Sequence, residues 1–89
     1  MSRSVEFTPS AWADYLYWHE QDKKTLKRIN RLLEEVRRNP LNGIGKPEQL
    51  LGDMSGFWSR RIDEQNRLIY AADDVAVSII SCRKHYGDK

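Results

Sequence analysis

The sequence predicts an α+β domain in which one strand is followed by two helices packed on a mainly antiparallel sheet. Three observations carry that reading. Apolar residues first alternate and then recur at helical spacing as far as Pro40. A loop punctuated by glycine follows. Beyond it the stretches "FWSRRI", "RLIYAA" and "VAVSIISCR" are β-branched or aromatic, and their connections, "DEQN" and "DD", are short enough for antiparallel hairpins.

"RSVEFT" alternates, with Val5 and Phe7 on one side, and reads as the first strand. "TPS" opens a helix: Thr8 is placed to cap it, and Pro9 takes the first helical position, where its missing N–H costs nothing. Ala11, Trp12, Tyr15, Leu16 and His19 form one stripe, the expected packed face of a helix ending near Gln21. Asp22 can cap a second helix, whose Leu26, Ile29, Leu33 and Val36 share one side while Lys24, Lys27, Arg28, Arg31 and Arg38 lie opposite. "RRNP" stops that helix at Pro40. "LNGIGKPEQLLGDMSG" reads as loop. With no repeat, low-complexity tract or linker, residues 1–89 are expected to form one domain.

Composition narrows the class. The single cysteine, Cys82, cannot make an internal disulfide and reads as a small hydrophobe, which suits a reducing cytoplasm. No uncharged apolar run approaches the roughly 18 to 20 residues of a bilayer span, and "MSRSVEFTPS" lacks the apolar segment of a signal peptide, so no membrane association is expected. The formal net charge of +2 is small but unevenly spread. Lys23, Lys24, Lys27, Arg28, Arg31, Arg37, Arg38 and Lys46 cluster against only Glu34 and Glu35. That excess suits a polyanion partner, and equally a solvated helix face.

Polar chemistry crowds the sheet half of the chain. Glu48 follows "GKP", Arg60 and Arg61 sit inside an apolar strand, Arg67 opens the next, and Arg83, Lys84, His85 and Tyr86 close the last. Adjacent arginines must point to opposite faces of a strand, which leaves open whether Arg60 or Arg61 faces a ligand. Two distant histidines and one cysteine give no zinc-type spacing, so neither a metal nor another cofactor is expected. Metal-free RNA cleavage fits the set by type. RNA supplies its own 2′-hydroxyl nucleophile, so the protein needs a base, an acid for the 5′-oxygen and cations for the phosphorane charge. Glu48, His85 and the arginines match those parts, and Trp58 and Tyr86 could stack on bases. Each also has a plainer explanation. Glu48 suits a solvated loop, His85 a chain end, and Arg67 a surface pair with Asp63 or Glu64 worth about 1 kcal/mol or less. On residue types alone a ribonuclease is one candidate among several.

Read in order, "DYLYWHEQDKKTLKRIN", "GKPEQL", "MSGFWSRRI", "NRLIYA" and "SCRKHY" closely resemble the YoeB-type toxins of the RelE/ParE superfamily of bacterial toxin-antitoxin systems, from Trp12 to Tyr86. The resemblance implies a small microbial-RNase-like fold and a ribosome-dependent mRNA endoribonuclease that cuts the A-site codon, leaving a 2′,3′-cyclic phosphate and a 5′-hydroxyl. It makes Glu48 the general base, Arg67 the transition-state stabiliser, His85 the general acid and Tyr86 a residue that helps hold the RNA. Lys46 and Arg61 are further candidates for phosphate contacts. The implied partners are the ribosome and its mRNA, a cognate antitoxin of the YefM type, and a second copy in a homodimer. Three features depart from the pattern: Asn66 stands where members often carry histidine, Ile44 where they carry a second lysine, and Gly87 to Lys89 follow the tyrosine. Two other readings compete. A ParE-like gyrase inhibitor would not need a base, an acid and an arginine together, and an RNA-binding translation regulator would need only the basic helix.

Overall fold

The structure is a computed structural model that describes residues 2–84. Its elements are β1 (Ser4–Phe7), α1 (Pro9–Gln21), α2 (Lys23–Arg38), β2 (Glu48–Gln49), a 3-10 turn (Gly52–Met54), β3 (Trp58–Arg61), β4 (Arg67–Ala72) and β5 (Ala76–Ser81). They build one five-stranded sheet in the order β1-β5-β4-β3-β2. Only β1 and β5 run parallel; the other pairings are antiparallel. The α+β class and the element order follow the sequence pattern. The addition is β2, a two-residue strand within the expected loop, which pairs with β3 and brings Glu48 opposite Ser59.

The helix ends are set by local hydrogen bonds. Thr8 Oγ1 accepts from the Ala11 N–H at 3.1 Å, and Pro9 follows it at the first helical position. Asp22 serves both helices. Its own N–H closes α1 on the Trp18 carbonyl, while its carboxylate accepts from the N–H groups of Lys24 and Thr25 at 3.1 and 3.2 Å and starts α2. The chain therefore turns from one helix into the next through one residue.

Both helices contact β1 and β5. Ile29, Leu32 and Val36 of α2 are fully buried against Leu68, Tyr70, Val77 and Ile79, each such aliphatic side chain contributing about 1.5–3 kcal/mol. The packed face of α1 differs from the predicted stripe. Ala11 and Trp18 are buried, whereas Trp12 is 48 % exposed and Leu16 and His19 also lie open. Trp18 turns inward because its one polar atom finds a partner there: Nε1–H donates to the Cys82 carbonyl at 2.8 Å. Asp14 lies on the same side, and its carboxylate accepts the Cys82 N–H at 3.1 Å. Trp12 instead stacks on Tyr15, with centroids 5.6 Å apart, and meets the edge of Phe7 beside β1.

Candidate active site

Strand register decides which side chains share a face. Arg60, Leu68 and Tyr70 point toward the helices, so their alternates Ser59, Arg61, Arg67 and Ile69 point the other way. Arg61 lies directly across from Arg67, and Glu48 lies across from Ser59, two residues from Arg61. Glu48, Arg61 and Arg67 thus belong to one face, opposite the helices. Glu48 and Arg61 are exposed and Arg67 is half-buried. The choice between the paired arginines is resolved: Arg61 faces outward.

Arg60 organises the loop that leads to this face. It is fully buried, and all five of its N–H groups have acceptors. Nε donates to the Tyr70 hydroxyl at 3.1 Å. Nη1 donates to the Glu35 carboxylate and the Ile44 carbonyl, both at 3.2 Å, and Nη2 to the carbonyls of Asn39 and Asn42 at 2.5 and 2.7 Å. The Tyr70 hydroxyl in turn donates to the Pro40 carbonyl at 2.6 Å. Glu35 also accepts from the Ile44 N–H. Loop carbonyls that have no strand to pair with are met by side chains rising from β3 and β4. Two glycines permit the close approach. At Gly43, with φ +125°, an added Cβ would overlap the Glu35 carboxylate, and at Gly45, with φ +84°, it would press on Leu32 and Arg60. Gly45 then accepts from the Arg61 N–H at 2.6 Å, which delivers exposed Lys46 beside β3.

Arg67 is oriented by its own hairpin. Its Nη1 donates to the carbonyls of Asp63 and Asn66 at 2.7 and 3.1 Å. The plainer alternative, a surface pair with an Asp63 or Glu64 carboxylate, does not form among the described residues; the acceptors are backbone oxygens. Among the described residues, the salt bridges are Arg37 and Arg38 with Glu34 and Arg60 with Glu35, so Lys46, Arg61 and Arg67 retain unneutralised charge. Arg28 of α2 donates to the Arg61 carbonyl at 3.2 Å, joining the basic helix to the rim of the site.

The chain beyond β5 is tied at successive residues. The register shift at Ile69/Tyr70 puts a bulge in β5, which bends the strand end. Cys82 is held by Asp14 and Trp18, and the Arg83 guanidinium lies 3.5 Å over the Tyr17 ring. Lys84 accepts from the Arg67 N–H at 3.1 Å and donates its own N–H to Asn66 Oδ1 at 2.6 Å. His85 and Tyr86 lie outside the described residues. Burial, with the Asp14 carboxylate nearby, pushes the Cys82 thiol from its ordinary 9.0 up to about 12, so this buried cysteine is an inert thiol at neutral pH. Asp14 carries no signal in the sequence, whereas Asn66 is marked by the cap-like turn residues of "DEQN" and by standing where the resembled family often carries histidine. No group of three or more His, Cys, Asp or Glu among the described residues is arranged to hold a metal ion.

Two helices behind a five-stranded sheet, with Glu48 and, among the described residues, Arg61 and Arg67 free of carboxylate partners on the face away from the helices, define a small α+β domain that presents charged groups on one side of its sheet. The chain belongs to the family of YoeB-like toxins of bacterial type II toxin-antitoxin systems, whose model matches residues 7–86. It is 54 % identical over 84 residues to the toxin YoeB of Mycobacterium bovis, covering 94 % of this chain and 99 % of that one. The YoeB dimer from Staphylococcus aureus superposes with a TM-score of 0.89 at 45 % identity, covering 97 % of this chain and 100 % of that chain. The YoeB–YefM complex from the same organism gives a TM-score of 0.87 at 44 % identity over the same shares.

Proposed function

We propose that this toxin is a metal-independent endoribonuclease that cleaves mRNA in the ribosomal A site and so inhibits translation in the cytoplasm. The observation that carries this reading is the shared face of Glu48, Arg61 and Arg67, with the backbone of Lys84 bonded to Arg67 immediately before His85 in the chain. Glu48 takes the proton of the 2′-hydroxyl as its oxygen attacks phosphorus. Arg67, aided by Arg61 and Lys46, stabilises the phosphorane charge. His85 gives a proton to the departing 5′-oxygen as the P–O bond breaks, and Tyr86 helps hold the RNA. The products are a 2′,3′-cyclic phosphate and a 5′-hydroxyl.

An exposed base and a shallow surface do not by themselves hold a flexible RNA strand for in-line attack. The ribosome supplies that orientation, a contribution of roughly 7–11 kcal/mol in well-aligned systems. By similarity to the Staphylococcus aureus dimer and complex, the toxin forms a homodimer and is restrained by a YefM-like antitoxin. In vitro translation with primer extension tests the activity: the intact protein should cut the A-site codon, and Glu48→Gln and Arg67→Ala should each lower the rate at least 100-fold with ribosome binding kept. Stalling without a cleavage product in the intact protein would refute the nuclease reading.

A further inference from the structure

We propose that Asn66 is a positioning residue for the general acid: together with Asp63 it fixes the backbone at Lys84 and thereby sets the point from which His85 departs, beside Arg67. The inference rests on the assignment of His85 as the acid. Among the described residues, Asn66 is the one side chain bonded to both ends of this junction. Its Nδ2 donates to both oxygens of the Asp63 carboxylate at 3.0 and 3.1 Å, which orients the amide and leaves Oδ1 aimed outward. Oδ1 then accepts from the Lys84 N–H at 2.6 Å.

Asp63 is itself held in place. Its Oδ1 accepts from the N–H groups of Gln65 and Asn66 at 2.8 and 2.7 Å, and the Ile62 and Asp63 N–H groups donate to the Asn66 carbonyl. The hairpin turn is therefore a rigid base from which one amide reaches the chain after β5. Lys84 has φ +70°, a left-handed conformation that a non-glycine residue adopts only when its surroundings over-determine it. The surroundings here are two bonds, Lys84 N–H to Asn66 and Arg67 N–H to the Lys84 carbonyl at 3.1 Å. That carbonyl carbon is bonded to the nitrogen of His85. The neighbouring Arg67 guanidinium hangs from the same turn, through the Asp63 carbonyl, so one turn ties the proposed phosphate-stabilising group and the stem of the proposed acid to a common base. Truncating Asn66 removes one of the two bonds that hold the Lys84 backbone, while Arg67 keeps its bonds to the Asp63 and Asn66 carbonyls.

The test uses ribosome-bound mRNA with either an ordinary scissile phosphate or a 5′-bridging phosphorothiolate. In the latter the P–S bond breaks and the thiolate leaves with its electron pair, needing no proton from an acid. Asn66→Ala should lower the single-turnover rate on the ordinary message at least 10-fold with apparent ribosome affinity within 2-fold, and should be restored to near the parent rate on the phosphorothiolate. Amide exchange should speed up at Lys84 with the core unchanged, which separates this effect from misfolding. Full activity of Asn66→Ala on the ordinary message, or a defect that persists on the phosphorothiolate, would overturn the proposal. His85→Ala serves as the control: if the phosphorothiolate does not restore that variant, His85 is not the acid and the assignment beneath the proposal fails with it.

Discussion

Arg60 shows what a single buried charge must satisfy. A guanidinium out of water costs several kcal/mol unless every donor is matched, and its five N–H groups meet Tyr70, Glu35 and three loop carbonyls. Arg60→Met leaves the Glu35 carboxylate and those carbonyls without their donor, so urea denaturation should show a loss of about 3–5 kcal/mol. A loss below 1 kcal/mol would mean that the loop holds itself. Cys82 gives a prediction in pH. The unfolded thiol ionises near its ordinary 9.0, whereas the folded one keeps its proton up to about 12. Between those values the folded state binds more protons than the unfolded state, so stability falls as pH rises, by up to about 1.4 kcal/mol per unit from this group. Cys82→Ala should flatten the alkaline slope of the denaturation midpoint, and in the folded parent the thiol should resist alkylation at pH 8. Residue identity shows that two arginines oppose each other across β3. It does not show which is buried, because that depends on Glu35 and Tyr70, distant in the chain, converging on one side.

At the scale of elements, the two helices depend on Asp22. Its carboxylate is held below the usual range chiefly by bonds from the Thr25 hydroxyl and N–H, so its contribution is present above about pH 4 and is lost as pH falls through the lowered folded value. Asp22→Asn, which keeps an acceptor without the charge, should lower the melting temperature less than Asp22→Ala; equal losses would discount the cap. The cationic side of α2 is open, with Lys24, Lys27 and Arg31 exposed. If it lies on ribosomal RNA, replacing Lys27 and Arg31 by Ser should weaken ribosome binding and reduce its salt slope by about 0.7–0.9 per lost contact. An unchanged slope would place these cations outside the interface. Apolar spacing located both helices and their caps in the sequence. It placed Ala11 and Tyr15 of α1 against the core but put Trp12, Leu16 and His19 there in place of Trp18, which hydrogen-bonds the Cys82 carbonyl.

For the whole molecule, the proposed activity is tied to the ribosome, because the exposed Glu48 and Arg61 do not by themselves orient an RNA strand. Purified toxin should cut naked RNA far more slowly than A-site mRNA, and comparable rates would remove the need for external orientation. The parts of the proposed site were present in the sequence as residue types: Glu48, Lys46, Arg61, Arg67, His85 and Tyr86 were all legible as candidates, and four of them lie within the described residues. Their spatial relation was not legible. Alternation within a strand says that Arg61 and Arg60 oppose each other, but not that Arg61 stands across from Arg67 or that Glu48 pairs into the sheet. By itself the sequence determined the α+β class, the caps, the hairpins and the cationic helix, because periodicity and turn chemistry are local. Only the tertiary structure decided strand order, the parallel β1–β5 pair, the burial of Arg60 and the tie from Asn66 to Lys84. Each of these rests on hydrogen-bond partners many residues apart, which local preference does not encode and which the packed fold alone brings within reach.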